Sequence, residues 1–149
     1  MKTIFADFHN LKPKQVEDIF KLRQQVFIIE QNCIYPDIDG ADSSAKHLLM
    51  YENDILAAYL RVFLPGSKYP DQASLGRIVL NPLFRGTGLG PELIRKSIEL
   101  CNGASIRIEA QAKLKNYYHQ YGFKEEGDVY VVDGIDHLQM VLGTAENQE

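Results

Sequence analysis

Apolar and polar positions alternate between two periods along this chain, and the changes of period mark its elements. A short, poorly alternating stretch from Lys2 to Phe8 reads as a strand. Beyond "NLKP", residues Val16, Ile19, Phe20 and Phe27 recur at helical spacing, and Pro13 suits a first-turn position, so a helix is predicted from about Pro13 to Ile29. "NCIYPDIDGADSSAK" and "LPGSKYPDQ" are rich in turn residues and read as loops. Between them, "HLLMYE" and "ILAAYLRVF" flank a turn at Asn53-Asp54 and predict a hairpin. "ASLGRIVL" is a further strand, ending at Asn81-Pro82.

"GPELIRKSIELC" puts Leu93, Ile94, Ile98 and Cys101 on one side of a helix that stops at Asn102-Gly103. A strand follows from Ser105 to about Ala110, then a short helix in "KLKNYYHQYGF" running into Gly122. "VYVVDGIDHLQMVL" is a hairpin turning at Asp133-Gly134, and "GTAENQE" reads as a frayed end. The order predicts a mixed α/β (α+β) fold of about seven strands, mostly antiparallel and flanked by helices. The strand–helix–strand unit from about Ala73 to Ala110 is its one parallel, right-handed crossover. No repeat or composition break divides residues 1–149, so a single domain is expected.

Composition narrows the function. A formal charge of −4 lacks the basic footprint that phosphate-backbone binding requires, which argues against a nucleic-acid partner. No apolar run approaches the ~20 residues that span a bilayer, and "MKTIFADFHN" lacks a secretory apolar stretch. A cytoplasmic protein without a membrane partner is expected. Cys33 and Cys101 have no metal-ligand spacing, and "DIDGAD" lacks the third acid and the closing Glu of a calcium loop, so no metal is expected.

"LFRGTGLGPELI" concentrates Gly86, Gly88 and Gly90 just before a helix, where bare backbone and unpaired N–H groups suit an anion. A triphosphate loop fails because Gly90 is followed by Pro91-Glu92 rather than Lys and Ser/Thr. A dinucleotide loop fails because Pro91 stands at the third glycine. "RGTGLG" instead matches R/Q-x-x-G-x-G/A, with Arg85, Gly88 and Gly90 in the fixed places. That pattern resembles the acyl-CoA pyrophosphate loop of the GNAT superfamily of N-acyltransferases. "YYHQYGF" is similar to that superfamily's aromatic-Tyr-x-x-x-Gly-Phe helix. "LRQQVFIIEQNCIYPDIDGAD", "GRIVLNPLFRGTGLG", "AQAKLKNYYHQYGF" and "DGIDHLQM" together look like its ElaA-type branch, from about Leu22 to Met140.

The resemblance implies an acetyl-CoA-dependent N-acetyltransferase acting on a primary amine by direct attack in a ternary complex. Backbone N–H groups of Gly86, Thr87, Gly88, Leu89 and Gly90 would wrap the pyrophosphate, with Arg85 adding charge. Main-chain groups of Ile78, Val79 and Leu80 would pair with the pantetheine arm, and the N–H of Val79 would meet the oxyanion. Tyr118 takes the place of the general acid. Where many relatives carry an Asn seven residues before that Tyr, this chain has Gln111, and Asn116 lies closer in; either amide could contact CoA.

Candidate bases are Glu109, Glu30, Asp37, His47 and His137, with Glu109 assigned to the catalytic set. Asp37, Asp39 and Asp42 either shape a mouth that attracts a cationic amine or cap turns. The acceptor itself and a homodimer through the C-terminal strands stay open. A non-catalytic acyl-CoA sensor is the alternative reading.

Overall fold

The hydrophobic pattern resolves into seven strands and three helices in the computed structural model, which describes residues 1–144. Residues 145–149 of the segment expected to fray lie outside the described residues. The strands are β1 (Lys2–Asp7), β2 (Lys46–Glu52), β3 (Ile55–Phe63), β4 (Ala73–Leu80), β5 (Ile106–Gln111), β6 (Lys124–Val132) and β7 (Ile135–Leu142). The helices are α1 (Pro13–Arg23), α2 (Leu89–Leu100) and α3 (Lys115–His119). One sheet holds all seven strands in the order β1-β2-β3-β4-β5-β7-β6, and only β4 and β5 pair in parallel. Mixed α/β with a single parallel crossover is thus the observed architecture.

Each face of the sheet has its own core. On one face α1 buries Ile19 and Leu22, with Val26 just beyond it, against Leu49, Tyr59 and Val79. On the other, α2 buries Leu89, Leu93 and Ile94 against Leu48, Leu60, Leu75 and Ile108. Local signals start and stop these elements. Gln15 accepts a hydrogen bond from the Lys12 N–H at 2.8 Å and so closes the start of α1. Asp133 and Gly134, with φ of 50° and 77°, turn β6 into β7 as a two-residue hairpin with both positions left-handed. Among the described residues no helix is long and apolar enough to cross a membrane.

The first predicted helix differs from the observed one in kind. Past Arg23 the chain widens into a π-helical turn over Gln24–Glu30, in which the N–H of Gln31 donates to Val26 O and that of Cys33 to Ile28 O. Three β-branched residues, Val26, Ile28 and Ile29, crowd this stretch and disfavour the tighter winding. The wider turn delivers Val26, Phe27 and Glu30 to one wall of a cleft.

Gly122 ends the segment after α3 at φ +97°, its N–H donating to His119 O at 2.9 Å. A Cβ there would stand 2.9 Å from Leu142 Cδ1. The leucine tip can rotate away, whereas the left-handed backbone cannot be relieved. Gly122→Ala is therefore expected to cost about 1–2 kcal/mol, a fall of roughly 2–8 °C in Tm for a chain of this size. Thermal denaturation followed by circular dichroism measures it; an unchanged Tm would show that this turn adapts freely.

Candidate active site

The site begins where the parallel pair fails. β4 and β5 are in register only at Ala73↔Ile106 and Ser74↔Arg107, after which they part. On its other side β4 continues against β3, with Gly76 opposite Arg61 and Val79 opposite Tyr59. Arg77 and Ile78 therefore face the single residue Leu60, which is a β-bulge, and Arg77 adopts φ 51°. The bulge bends β4 away from β5 and opens a cleft of about 530 Å³. Ile78, Val79 and Leu80 line it from β4, Glu109 and Gln111 from β5, and Tyr118 from α3.

Backbone parity decides which amides face the opening. The Asn81 N–H donates to Ala57 O of β3 at 2.8 Å. Alternation along an extended strand then turns the N–H of Val79 toward β3 as well, and those of Ile78 and Leu80 toward the cleft. On this parity the Val79 N–H turns away from the cleft, which does not support the oxyanion role expected of it. Val79 instead contributes a buried side chain to the core beneath α1.

Past β4, the Asn81 side chain accepts from the Leu83 N–H at 3.1 Å and Thr87 donates to Phe84 O at 2.6 Å, which shapes the approach to α2. Gly86 and Gly88 hold φ of 77° and 84°, with open space where a Cβ would stand. Outside helices and strands the N–H groups of Gly86, Thr87 and Gly88 make no backbone hydrogen bond among the described residues, and those of Leu89 and Gly90 open α2, ahead of any intrahelical partner. They form a cluster of free donors at a helix N-terminus. Gly90 has a different reason to be glycine: a Cβ there would meet Tyr117 Oη at 3.1 Å and Leu80 Cδ1 at 3.5 Å, so it lets α2 pack closely. Leu89 is buried in the core, leaving only its backbone for a ligand. Arg85 turns its guanidinium onto Glu30 in a bidentate pair at 2.6 and 3.0 Å. The hydrogen bond from Arg85 holds the Glu30 carboxyl below its ordinary range. Glu30 is thereby a poor proton acceptor.

Tyr118 is 7% exposed and lies edge-on to Tyr117 and Phe123. Burial, with the phenol of Tyr117 adding to it, raises its pKa well above that of a free tyrosine, so its proton is retained. Glu109 accepts a hydrogen bond from Tyr130 at 2.7 Å. His137 also lines the cleft, with Nδ1 2.7 Å from Ile135 O and its ring stacked on Tyr130. A carbonyl can only accept, so Nδ1 carries a proton, and in the neutral ring the lone pair lies on Nε2. Gln111 faces the cleft and reaches Gln31 at 3.5 Å, whereas Asn116 is exposed on α3 and outside the lining.

Two other candidate bases are corrected. His47 is fully buried, with Nδ1 2.6 Å from Tyr59 Oη and Nε2 2.8 Å from Asp42 O, and burial lowers its pKa. Asp37 is held by Arg23, which donates from Nε to Oδ2 at 2.9 Å and from Nη2 to the main-chain O at 2.8 Å. Asp42 takes Arg23 Nη1 at 2.7 Å and Arg61 Nη1 at 3.0 Å. Asp39 takes Arg61 Nη2 at 2.7 Å. The three carboxylates do not form an attracting mouth, because guanidiniums neutralise them. Sequence reasoning missed those arginines altogether. Arg23 sits in an amphipathic helix and Arg61 and Arg77 in strands, and nothing local distinguishes them from solvated charges.

Residues 10–143 match the family described as an acetyltransferase (GNAT) domain. The protein ElaA of Escherichia coli is 36% identical over 144 residues, covering 91% of this chain and 94% of its own. A UPF0039 protein of Synechocystis is 35% identical over 145 residues, 94% of each chain. Among solved structures, an acyl-CoA N-acyltransferase of Pseudomonas aeruginosa superimposes with a TM-score of 0.90 at 31% identity, over 95% of this chain and 99% of that one. Fold, splayed strands, glycine loop and relatives agree: this chain belongs to the GNAT acetyltransferase family.

Proposed function

We propose that the protein transfers an acetyl group from acetyl-CoA to a primary amine within a ternary complex, in the cytoplasm where that thioester is available. One observation carries the reading. Free backbone donors run from Ile78 and Leu80 on the opened edge of β4 to the amides of Gly86–Gly90 at the head of α2. An extended pantetheine arm would pair with the first set and its pyrophosphate would sit on the second. The thioester carbonyl is then placed at the Ile78 N–H, which meets the oxyanion as it forms.

Glu109 draws the acceptor's ammonium into the cleft, and its proton passes to Nε2 of His137, directly or through water. The neutral amine attacks the carbonyl carbon, the tetrahedral oxyanion collapses, and the C–S bond breaks. Tyr118 protonates the departing thiolate and regains a proton, through water, from the nitrogen, which is cationic after attack; the amide and the CoA thiol result. Direct attack by the amine involves no cysteine nucleophile, and Cys101 is buried, with burial pushing its thiol up to about 11.

Calorimetry with CoA and a CoA-release assay across small amines, polyamines, amino acids and peptides test the reading. Acetyl-CoA at about 100 times its Kd is expected to stabilise the fold by ~2.7 kcal/mol, a rise of roughly 5–11 °C in Tm. NADH and ATP should give no comparable rise. Binding without turnover of any amine would favour the acyl-CoA sensor; stabilisation by NADH instead of acetyl-CoA would overturn both.

A further inference from the structure

We infer that Arg77 is a positioning residue: clamped by Asp37 and Asp39, it holds the bulge of β4 so that the Ile78 N–H faces the thioester. The inference rests on the acyl-transfer reading above. Its starting point is a conflict between residue type and backbone. A strand interior asks for extended φ, and a left-handed residue is normally glycine, yet the position at φ 51° is an arginine. Gly76, immediately before it, is not in the left-handed region. Local preference therefore opposes the bulge as built, and something outside the backbone must hold it.

The side chain of Arg77 supplies that hold. Its Nε lies 2.8 Å from Asp37 Oδ1, an ion pair too bent to be a hydrogen bond. Nη2 donates to Asp37 O at 3.0 Å and to Asp39 Oδ2 at 3.3 Å. The guanidinium also lies over the ring of Tyr35, 5.5 Å from its centroid, and the Tyr35 hydroxyl donates to Asp37 Oδ1 at 2.7 Å.

Behind these carboxylates stand two further arginines. Fully buried Arg23 grips Asp37, while Arg61, directly across from Gly76 on β3, grips Asp39 and Asp42. The bulge is thus held from both strands by one loop. Three guanidiniums face three carboxylates, so the network closes without net charge and without drawing Arg77 toward a substrate.

The peptide joining Arg77 to Ile78 carries the N–H at issue, so the dihedrals at Arg77 set where that N–H points. Letting φ relax to the extended region would rotate this peptide out of the opening while leaving the strand otherwise paired. The same loop also contributes Cys33 and Tyr35 to the cleft wall. Its position and that of the oxyanion donor are therefore fixed together.

The test compares Arg77→Ala, Arg77→Gly and Asp37→Asn in the full chain. Arg77→Ala removes the clamp but keeps a Cβ that resists a left-handed φ; Arg77→Gly removes both the clamp and the resistance. Losing an entire oxyanion donor costs about 10²–10³ in kcat, and a misdirected one should cost part of that. With acetyl-CoA and an accepted amine, Arg77→Ala is expected to lose about tenfold to hundredfold in kcat. KM for acetyl-CoA should stay within about threefold, since the pyrophosphate loop is untouched. Arg77→Gly should recover a clear share of the loss, and Asp37→Asn should fall between.

Amide resonances of Ile78 and Leu80 in the free protein give a readout independent of any acceptor. They should move in Arg77→Ala and return toward the original positions in Arg77→Gly. Unmoved resonances in Arg77→Ala, or a glycine variant no better than the alanine one, would overturn the clamp. A parent protein that neither binds acetyl-CoA nor turns over an amine refutes the acyl-transfer reading instead, and the resonances still decide whether Arg77 sets the bulge.

Discussion

Arg23→Ala is expected to lower stability by about 3–5 kcal/mol, the usual cost of removing one partner from a buried ion pair. Arg23 is 0% exposed at the end of α1, and its guanidinium lies 5.3 Å from the centroid of the Phe20 ring. Its three hydrogen bonds reach both carboxylates and a main-chain carbonyl in the 31–45 loop. Truncation leaves Asp37 Oδ2 buried without its donor, the Asp37 carbonyl with Arg77 alone and Asp42 with Arg61 alone. Desolvated charge dominates the loss, with a cavity adding to it. For a chain of this length the loss corresponds to roughly 6–20 °C in Tm. Urea denaturation gives the free energy directly. A loss under about 1 kcal/mol would mean that water reaches these carboxylates and that the network does not hold the loop.

The same network makes stability depend on acid. Hydrogen bonds from Arg61 hold the Asp39 carboxyl far below the ordinary range. Burial alone would raise Asp42, but Arg23 and Arg61 outweigh it and leave it lowered. A carboxyl depressed in the fold contributes fully above its unfolded pKa near 4, and that contribution is lost as pH falls through the folded value. His47 acts in the same direction for a different reason. Burial lowers its pKa, so it stays neutral in the fold while the unfolded chain takes up a proton below about pH 6.5. Stability should therefore decline in two stages on acidification. In Arg23→Ala the later stage should begin at higher pH, because the carboxyls have lost a cation.

Features written within a few consecutive residues were legible in the sequence. The Asp133-Gly134 turn, the glycines ahead of α2 and the stop after Cys101 each follow from local backbone preference. The parallel unit around α2 followed from connection rules. What escaped depends on pairing across the sheet. Whether Val79 or its neighbours face the cleft is a matter of parity, fixed by the Asn81 N–H on Ala57 and by one extra residue at the bulge. A one-residue slip reverses every such assignment. Nor could spacing show that Gly90 serves Tyr117, or that three aspartates in a loop would meet arginines from α1, β3 and β4. These partners lie far apart in the chain, and single-sequence periodicity carries no record of them.

Tyr118→Phe should lower kcat by about a hundredfold while leaving acetyl-CoA affinity nearly intact. General acid catalysis contributes ~10²–10⁴, and a thiolate is already a tolerable leaving group, so the lower end applies. Burial keeps the phenol protonated across the working pH range, and the side chain lines the same cleft as Ile78. On the proposed mechanism the phenol therefore still carries its proton when the C–S bond breaks, and the acid should impose no alkaline limit on kcat. Because the hydroxyl helps only once charge develops on sulfur, removing it acts on the transition state rather than on the bound ground state. Affinity should change by less than about 1 kcal/mol, one ordinary hydrogen bond. The ring's edge contacts with Tyr117 and Phe123 survive in phenylalanine, so folding should be unaffected. The measurement is kcat with the best amine, beside a calorimetric Kd for acetyl-CoA. An unchanged kcat in a folded variant would leave Tyr118 a packing residue and assign the proton to water. Weakened binding with unchanged kcat would make it a contact for the pantetheine arm instead.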